Sequence, residues 1–176
     1  MMHGSMTPGR LGAILAAVVL AVDQAVKAWI LHVVRLPERP PIRVGPFFDL
    51  VMVWNRGISY GLFQQHEDWG RWALVALSIA ACVGLSIWLG RTKVWLNGVA
   101  LGLLVGGALG NALDRALYGA VADFVLLYWL PFFPYVFNVA DSAIVAGVAL
   151  LLYDSFFLEH RRRGQAAVGA GGSTSE

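Results

Sequence analysis

Apolar residues fall into four long blocks, and charge returns only in the stretches between them or near their ends. Leu11 to Val22 is free of charge, and the apolar pattern resumes from Ala25 to Val34 with Asp23, Gln24 and Lys27 as the interruptions. Ala73 to Gly90 and Val94 to Leu113 are charge-free runs of 18 and 20 residues, each long enough as a helix to cross a hydrocarbon core of about 30 Å. The last block runs from about Val139 to Phe157, with Asp141 near its start and Asp154 near its end. The pattern predicts four membrane-spanning helices, at about 11–33, 72–90, 94–113 and 139–157. Arg10 followed by a 12-residue apolar stretch also has the form of a signal-peptide core. No clear A-x-A site follows, however, and AWILHVV is long enough to complete a span.

The connections differ in kind. PPIRVGPFFDLVMVWNRGISYGLF mixes β-branched and aromatic residues with Gly and Pro, which predicts short strands bounded by turns and a folded outer loop over residues 35 to 71. Only Arg91, Thr92 and Lys93 join the second and third blocks, forcing an antiparallel hairpin. After Arg163 the Gly-, Ala- and Ser-rich stretch GQAAVGAGGSTSE is expected to be a disordered tail, residues 164–176, behind a single membrane domain at 1–163. Four antiparallel spans place the 35–71 loop and the 114–138 loop on one side, whichever way the protein is oriented. Basic residues leave the orientation tied: Arg10, Arg91, Lys93 and Arg161 to Arg163 on one face balance Arg35, Arg39, Arg43, Arg56, Arg71 and Arg115 on the other.

Composition agrees with the pattern: of 176 residues, 58% are hydrophobic and 14% charged, with a mean hydropathy of +0.65, far from a soluble domain. A net charge of +2 carries no nucleic-acid footprint. Cys82 is the single cysteine, which excludes an internal disulfide, and it sits in the apolar AACVGLSIWL as a packing residue. The histidines, at 3, 32, 66 and 160, are scattered, and no metal-ligand spacing is present.

Against this background NALDRALYGAVADFVLLYWLPFFPYVFNVAD is anomalous, with Asn111, Asp114, Arg115, Asp123, Asn138 and Asp141 inside 31 residues. Asn111, Asp114 and Arg115 lie at i, i+3 and i+4, on one side of the third helix if it continues through Arg115. Each residue has an ordinary explanation. Asp114 and Arg115 mark a membrane boundary; Asn138 and Asp141 have capping-box spacing; Tyr128, Trp129, Phe132, Phe133, Tyr135 and Phe137 form an interfacial belt; Asp23 and Lys27 pair at i,i+4. Together they suggest more, because two carboxylates held close share a proton, so that one can deprotonate water while the other protonates a carbonyl oxygen. The chain has no H-E-x-x-H, G-x-S-x-G or P-loop. A proton-coupled transporter or channel, or a scaffold whose polar residues bind helices together, remains open on the residues alone, although no inverted repeat supports the transporter.

DQAVK at Asp23 to Lys27, NRGISYG at Asn55 to Gly61, GNALDR at Gly110 to Arg115, GAVADF at Gly119 to Phe124 and FNVAD at Phe137 to Asp141 together resemble lipoprotein signal peptidase, or signal peptidase II, over about residues 10 to 160. The resemblance implies an all-α membrane protein of four transmembrane helices, with a small extramembrane β-sheet and an amphipathic segment in the first outer loop. It implies a bacterial aspartic endopeptidase of the cytoplasmic (inner) membrane, with its active site near the outer leaflet and both termini in the cytoplasm. Its substrate would be a diacylglyceryl-modified prolipoprotein, cut immediately before the lipidated cysteine, with no metal or other cofactor and no partner beyond membrane lipid; a monomer is expected. The catalytic aspartates fall on Asp123 and Asp141, and supporting or substrate-binding positions on Asp23, Lys27, Asn55, Gly57, Asn111, Asp114, Arg115 and Asn138.

Overall fold

The computed structural model describes residues 6–57, 68–127 and 135–158. The 164–176 tail, Arg161 to Arg163, the aromatic residues Tyr128, Trp129, Phe132 and Phe133, and residues 58–67 of the first outer loop, with much of the expected amphipathic segment, lie outside the described residues. Among the described residues, four helices are long and apolar enough to cross a membrane. The first, α1 (Pro8–Ala28), starts with Pro8 in its first turn and the Thr7 hydroxyl accepting from Arg10 N–H at 3.2 Å, an arrangement that supplies one of the orphan donors of a helix start. It continues as a π-helical turn over Trp29–Val33 and ends where Arg35 enters the left-handed region at φ 52°. The helix α2 (Asp68–Arg91) and the helix α3 (Trp95–Tyr118) form the expected hairpin across Thr92, Lys93 and Val94. The helix α4 (Val139–Tyr153) runs into a second π-helical turn, Asp154–Leu158.

The axis of the bundle is α3, which packs against each of the other three helices. Lipid tails are as apolar as leucine, so burial gives helices little reason to associate inside a bilayer; close backbone packing does. Small residues on α3 supply it. A side chain at Gly102 would run into the Gly12 backbone of α1, and one at Gly107 would meet the Ala140 carbonyl of α4 at 2.5 Å. The outer faces of the other helices are apolar and exposed, with Ile14, Val18 and Val22 on α1, Leu77, Val83 and Ile87 on α2, and Val145, Val148 and Leu152 on α4. Such a continuous apolar surface fits a hydrocarbon surround.

Outside the helices lies one antiparallel sheet in the order β1 (Ile42–Arg43), β2 (Phe48–Asn55), β3 (Val121–Leu127), β4 (Tyr135–Phe137). It differs from the expectation in one respect: only half of it comes from the first outer loop, and β3 and β4 come from the connection between α3 and α4. The third helix also runs past the anticipated end at Leu113. It stops at Tyr118, where Gly119 takes φ 79° and its N–H reaches the Arg115 carbonyl, a left-handed C-cap that favours glycine. Asp114 and Arg115 are therefore inside the helix and not at its edge. In the sheet, Val53 pairs with Asp123 and Asn55 with Val121, with a bulge between Leu50 and Val53. Residues two apart share a face of a strand, so Asn55 and Asp123 become diagonal neighbours. Ile30, Leu36 and Phe124 form the small core that ties the sheet to the end of α1.

Candidate active site

Asp123 stands on β3, not in a loop, and Asp141 is in the first turn of α4. Asn138 joins them. Its Oδ1 accepts from Asp141 N–H at 2.9 Å while the Asp141 carboxylate accepts from Asn138 N–H at 3.2 Å, completing the anticipated capping box. The same side chain donates through Nδ2 to Asp123 Oδ1 at 2.7 Å. Asn55 Nδ2 donates to the other Asp123 oxygen at 3.1 Å, and Asn111 Nδ2 donates to Asp141 Oδ1 at 2.8 Å. Among the described residues, each carboxyl oxygen of the pair thus has one neutral N–H donor.

The pair is asymmetric. Asp123 is 2% exposed, and burial, followed by the charge of Asp141, pushes its carboxyl from the ordinary 3.8 up to about 7, against the pull of the Asn55 and Asn138 amides and the charge of Lys27. Asp141 faces the N-terminal end of a helix, where the unpaired N–H groups favour negative charge. Two carboxyls so placed can hold a single proton, with Asp123 as its carrier near neutral pH.

Asp141 lines a cavity of about 310 Å³ together with Asn55, Asn111, Arg115 and Tyr135; Val121 of β3, Leu74, Leu77 and Ser78 of α2, and Ile144 and Val145 of α4 complete its wall. Asp123 is not part of the lining. The cavity is therefore lined by two membrane-crossing helices, α2 and α4, and by both polar and aliphatic side chains. Arg115 spans from α3 to the first outer loop, donating to the Gly57 carbonyl at 2.8 Å and to the Asn111 carbonyl at 3.3 Å. Gly57 N–H in turn donates to Asn55 Oδ1 at 3.1 Å, which locks the end of β2 over the site.

Beneath the pair is a charged cluster. Lys27 Nζ is 2.8 Å from Asp23 Oδ2 and 2.8 Å from Asp114 Oδ2, and all three side chains are at most 2% exposed. The predicted i,i+4 pair is present, with a second carboxylate added from α3. Lys27 also donates to Asn111 Oδ1 at 3.2 Å, which links the cluster to Asp141 through Asn111. All ten residues singled out in the sequence come together here.

Two contributors escape sequence reasoning. Gln24 bridges Asp23, the Gly110 carbonyl and Asp114 at 3.2, 3.3 and 2.9 Å; its place inside DQAVK was the available signal. Arg71, at the start of α2, donates to the Ala116 carbonyl at 2.6 Å near the end of α3, and nothing in the sequence marks it. Among the described residues, no group of three or more His, Cys, Asp or Glu is disposed to hold a metal ion.

The family model described as signal peptidase (SPase) II matches residues 15–157. Among similar proteins, the lipoprotein signal peptidase of Methylorubrum extorquens (strain PA1) is 54% identical over 167 residues, which cover 95% of this chain and 98% of that protein. That of Methylobacterium radiotolerans is 54% identical over 157 residues, 89% and 92% of the two chains, and that of Rhodopseudomonas palustris (strain ATCC BAA-98 / CGA009) is 47% identical over 159 residues, 85% and 94%. A solved bacterial membrane enzyme, obtained by the in meso method, superposes with a TM-score of 0.71 at 27% identity, over 82% of this chain and 89% of that one. Family match, near full-length relatives and fold agree, and the chain belongs to the signal peptidase II family.

Proposed function

We propose that this multi-pass membrane protein is an aspartic endopeptidase that removes signal peptides from bacterial prolipoproteins, with Asp123 and Asp141 as its catalytic pair. The observation that carries the assignment is their shared environment: two carboxyls from different elements, joined through one asparagine, where burial and the charge of Asp141 push the Asp123 carboxyl up to about 7. Asp141, as the charged partner, takes a proton from a water in the cavity while that water attacks the scissile carbonyl carbon. Asp123 gives its proton to the carbonyl oxygen, and a neutral tetrahedral diol results. Asp141 then returns its proton to the amide nitrogen, Asp123 takes one back from a diol oxygen, the C–N bond breaks, and the pair is left with its single proton.

Asn55, Asn111, Asn138, Gly57 and Arg115 frame the pair and hold an extended peptide by its backbone; Asp23, Lys27 and Asp114 support them from beneath. The aliphatic walls from α2 and α4 favour lateral entry from the bilayer, so the substrate is a precursor bearing diacylglycerol on its cysteine, cut immediately before that residue. Acyl chains buried at about 0.8 kcal/mol per CH₂ dominate its local concentration. The active site lies near the outer leaflet of the cytoplasmic membrane, both termini are cytoplasmic, and the enzyme acts as a monomer without nucleic acid or cofactor.

The test compares lipidated and unlipidated forms of one precursor with the purified protein in a single detergent or bilayer system, locating the cut by mass spectrometry. Cleavage of the lipidated form directly before its cysteine, with far slower cleavage of the other, is expected. Equal rates, or cutting elsewhere, overturn lipid-gated cleavage.

A further inference from the structure

The buried cluster beneath the pair touches neither aspartate: among the described residues, no side chain of Asp23, Lys27 or Asp114 hydrogen-bonds to Asp123 or Asp141. It reaches them through the backbone. Asp23 Oδ1 accepts from Ala140 N–H at 2.9 Å, and Asp114 Oδ2 accepts from Ala122 N–H at 3.1 Å. Ala140 immediately precedes Asp141, and Ala122 immediately precedes Asp123. The other oxygen of Asp23 and the same oxygen of Asp114 converge on Lys27 Nζ, each at 2.8 Å. Gln24 ties the two carboxylates together a second time, at 3.2 and 2.9 Å. The cluster is thus symmetric in function though not in sequence: one ammonium, two carboxylates, and in the grip of each carboxylate the amide next to one member of the pair.

From this geometry we infer that Asp23, Lys27 and Asp114 are positioning residues that set the separation of Asp123 and Asp141 by clamping the Ala122 and Ala140 amides to a common ammonium. The inference rests on the catalytic reading of the pair and deepens it. Charge-assisted hydrogen bonds are shorter and roughly twice as strong as neutral ones, and where no side chain is more than 2% exposed no water competes for them. Asp123 comes from β3 and Asp141 from α4; Asn138 bridges the two side chains, Asn55 and Asn111 each hold one of them, and the clamp fixes the backbone beneath both. A cluster that merely binds α1 to α3 would need only the Lys27 ion pairs; it would have no need of both amides.

Two pairs of variants test the clamp on the full-length protein in detergent, with folding followed by thermal unfolding and membrane insertion checked first. Asp114→Ala removes the grip on Ala122, whereas Asp114→Asn keeps one oxygen for that amide and for Lys27; Asp23→Ala removes the grip on Ala140, whereas Asp23→Asn keeps an oxygen for Ala140 but turns its amide nitrogen toward Lys27. Per folded molecule, the Ala variants should lose about 100-fold in kcat, the scale of an ångström of misplacement, with KM changed less than about threefold. Asp114→Asn should regain most of the loss, and Asp23→Asn only part of it. The pH profile adds a readout that lost folding does not move. Asp141, Lys27 and Arg115 are the charged groups facing Asp123; when the pair spreads, repulsion from Asp141 weakens and the alkaline limb should shift to lower pH. Ala variants with unchanged kcat per folded molecule and an unmoved limb would overturn the clamp. If an Ala variant does not insert, Asp114→Asn still decides, since a folded Asp114→Asn protein with no turnover contradicts an amide-holding role. Failure of the peptidase reading is separate: it would show as absence of cleavage by the unchanged protein.

Discussion

Replacing Asp123 with Asn should abolish turnover and at the same time stabilise the protein above neutral pH while weakening it in acid. The carboxyl's value is about 7 in the folded protein against an ordinary 3.8. Because the folded value is raised, ionisation opposes folding: the penalty is absent below about pH 4, grows as pH rises, and is complete above about pH 7. At about 1.4 kcal/mol per pH unit, it reaches about 4 kcal/mol. The asparagine never ionises and escapes it, but has one acceptor oxygen where the carboxyl offered two, to Asn138 and Asn55. One amide then faces another amide, at a cost of about 1 kcal/mol. The balance favours Asp123→Asn by about 3 kcal/mol at pH 8 and disfavours it by about 0.5 kcal/mol at pH 4, with a crossover at about pH 4.5. For a chain of this size that is a rise of roughly 6–12 °C in Tm at pH 8. Thermal unfolding in detergent, followed by tryptophan fluorescence from pH 4 to 8.5, measures it. A Tm difference that does not change with pH, or a less stable variant at pH 8, would refute the account of Asp123 as a buried, neutral acid.

The activity of the unchanged protein should follow a bell in pH, falling as pH rises through about 7 with loss of the Asp123 proton and falling again in acid as the pair takes a second one; a flat profile with chemistry rate-limiting would contradict a shared proton. Asn138→Ala should lower kcat by about 100-fold and stability by about 1 kcal/mol, since it removes both a helix cap and the bridge between the aspartates, and near-normal turnover would show the bridge to be dispensable. Gly102→Ala puts a methyl group 2.9 Å from the Gly12 Cα and should destabilise the bundle by about 1–3 kcal/mol, read as a lower Tm without a shift in the pH profile. A reporter fused after Glu176 should read cytoplasm and one inserted near His66 the outside; the reverse pattern would overturn the proposed orientation.

The helices were legible because bilayer thickness leaves a simple mark: an unbroken apolar run has to mean a span, as at Ala73 to Gly90. Their ends were less so. Asp114 and Arg115 look like a membrane boundary, yet α3 continues to Tyr118 because Lys27 and the Ala122 amide neutralise Asp114 from the protein side. The sheet was half visible, since β2 carries its own β-branched and aromatic signal, whereas β3 owes its strand to pairing with residues some 70 positions earlier, such as Asp123 with Val53. That pairing leaves no local pattern, and Asp123 read as a loop residue. The polar residues stood out in an apolar chain, but their roles came from family resemblance. The grips on Ala122 and Ala140 were invisible, because a backbone amide has no letter in the sequence.

The cavity walled by Leu74, Leu77 and Ile144 also bears on how any competitor for this site would be measured. A compound that arrives through the gap between α2 and α4 is drawn from the lipid phase, so its occupancy follows its concentration per volume of bilayer or detergent and not per volume of buffer. Doubling the lipid at constant total compound dilutes the species that binds. Apparent potency should then weaken in proportion to the added lipid for strongly partitioning molecules, and two compounds of equal contact with the site will rank by how well they dissolve in hydrocarbon.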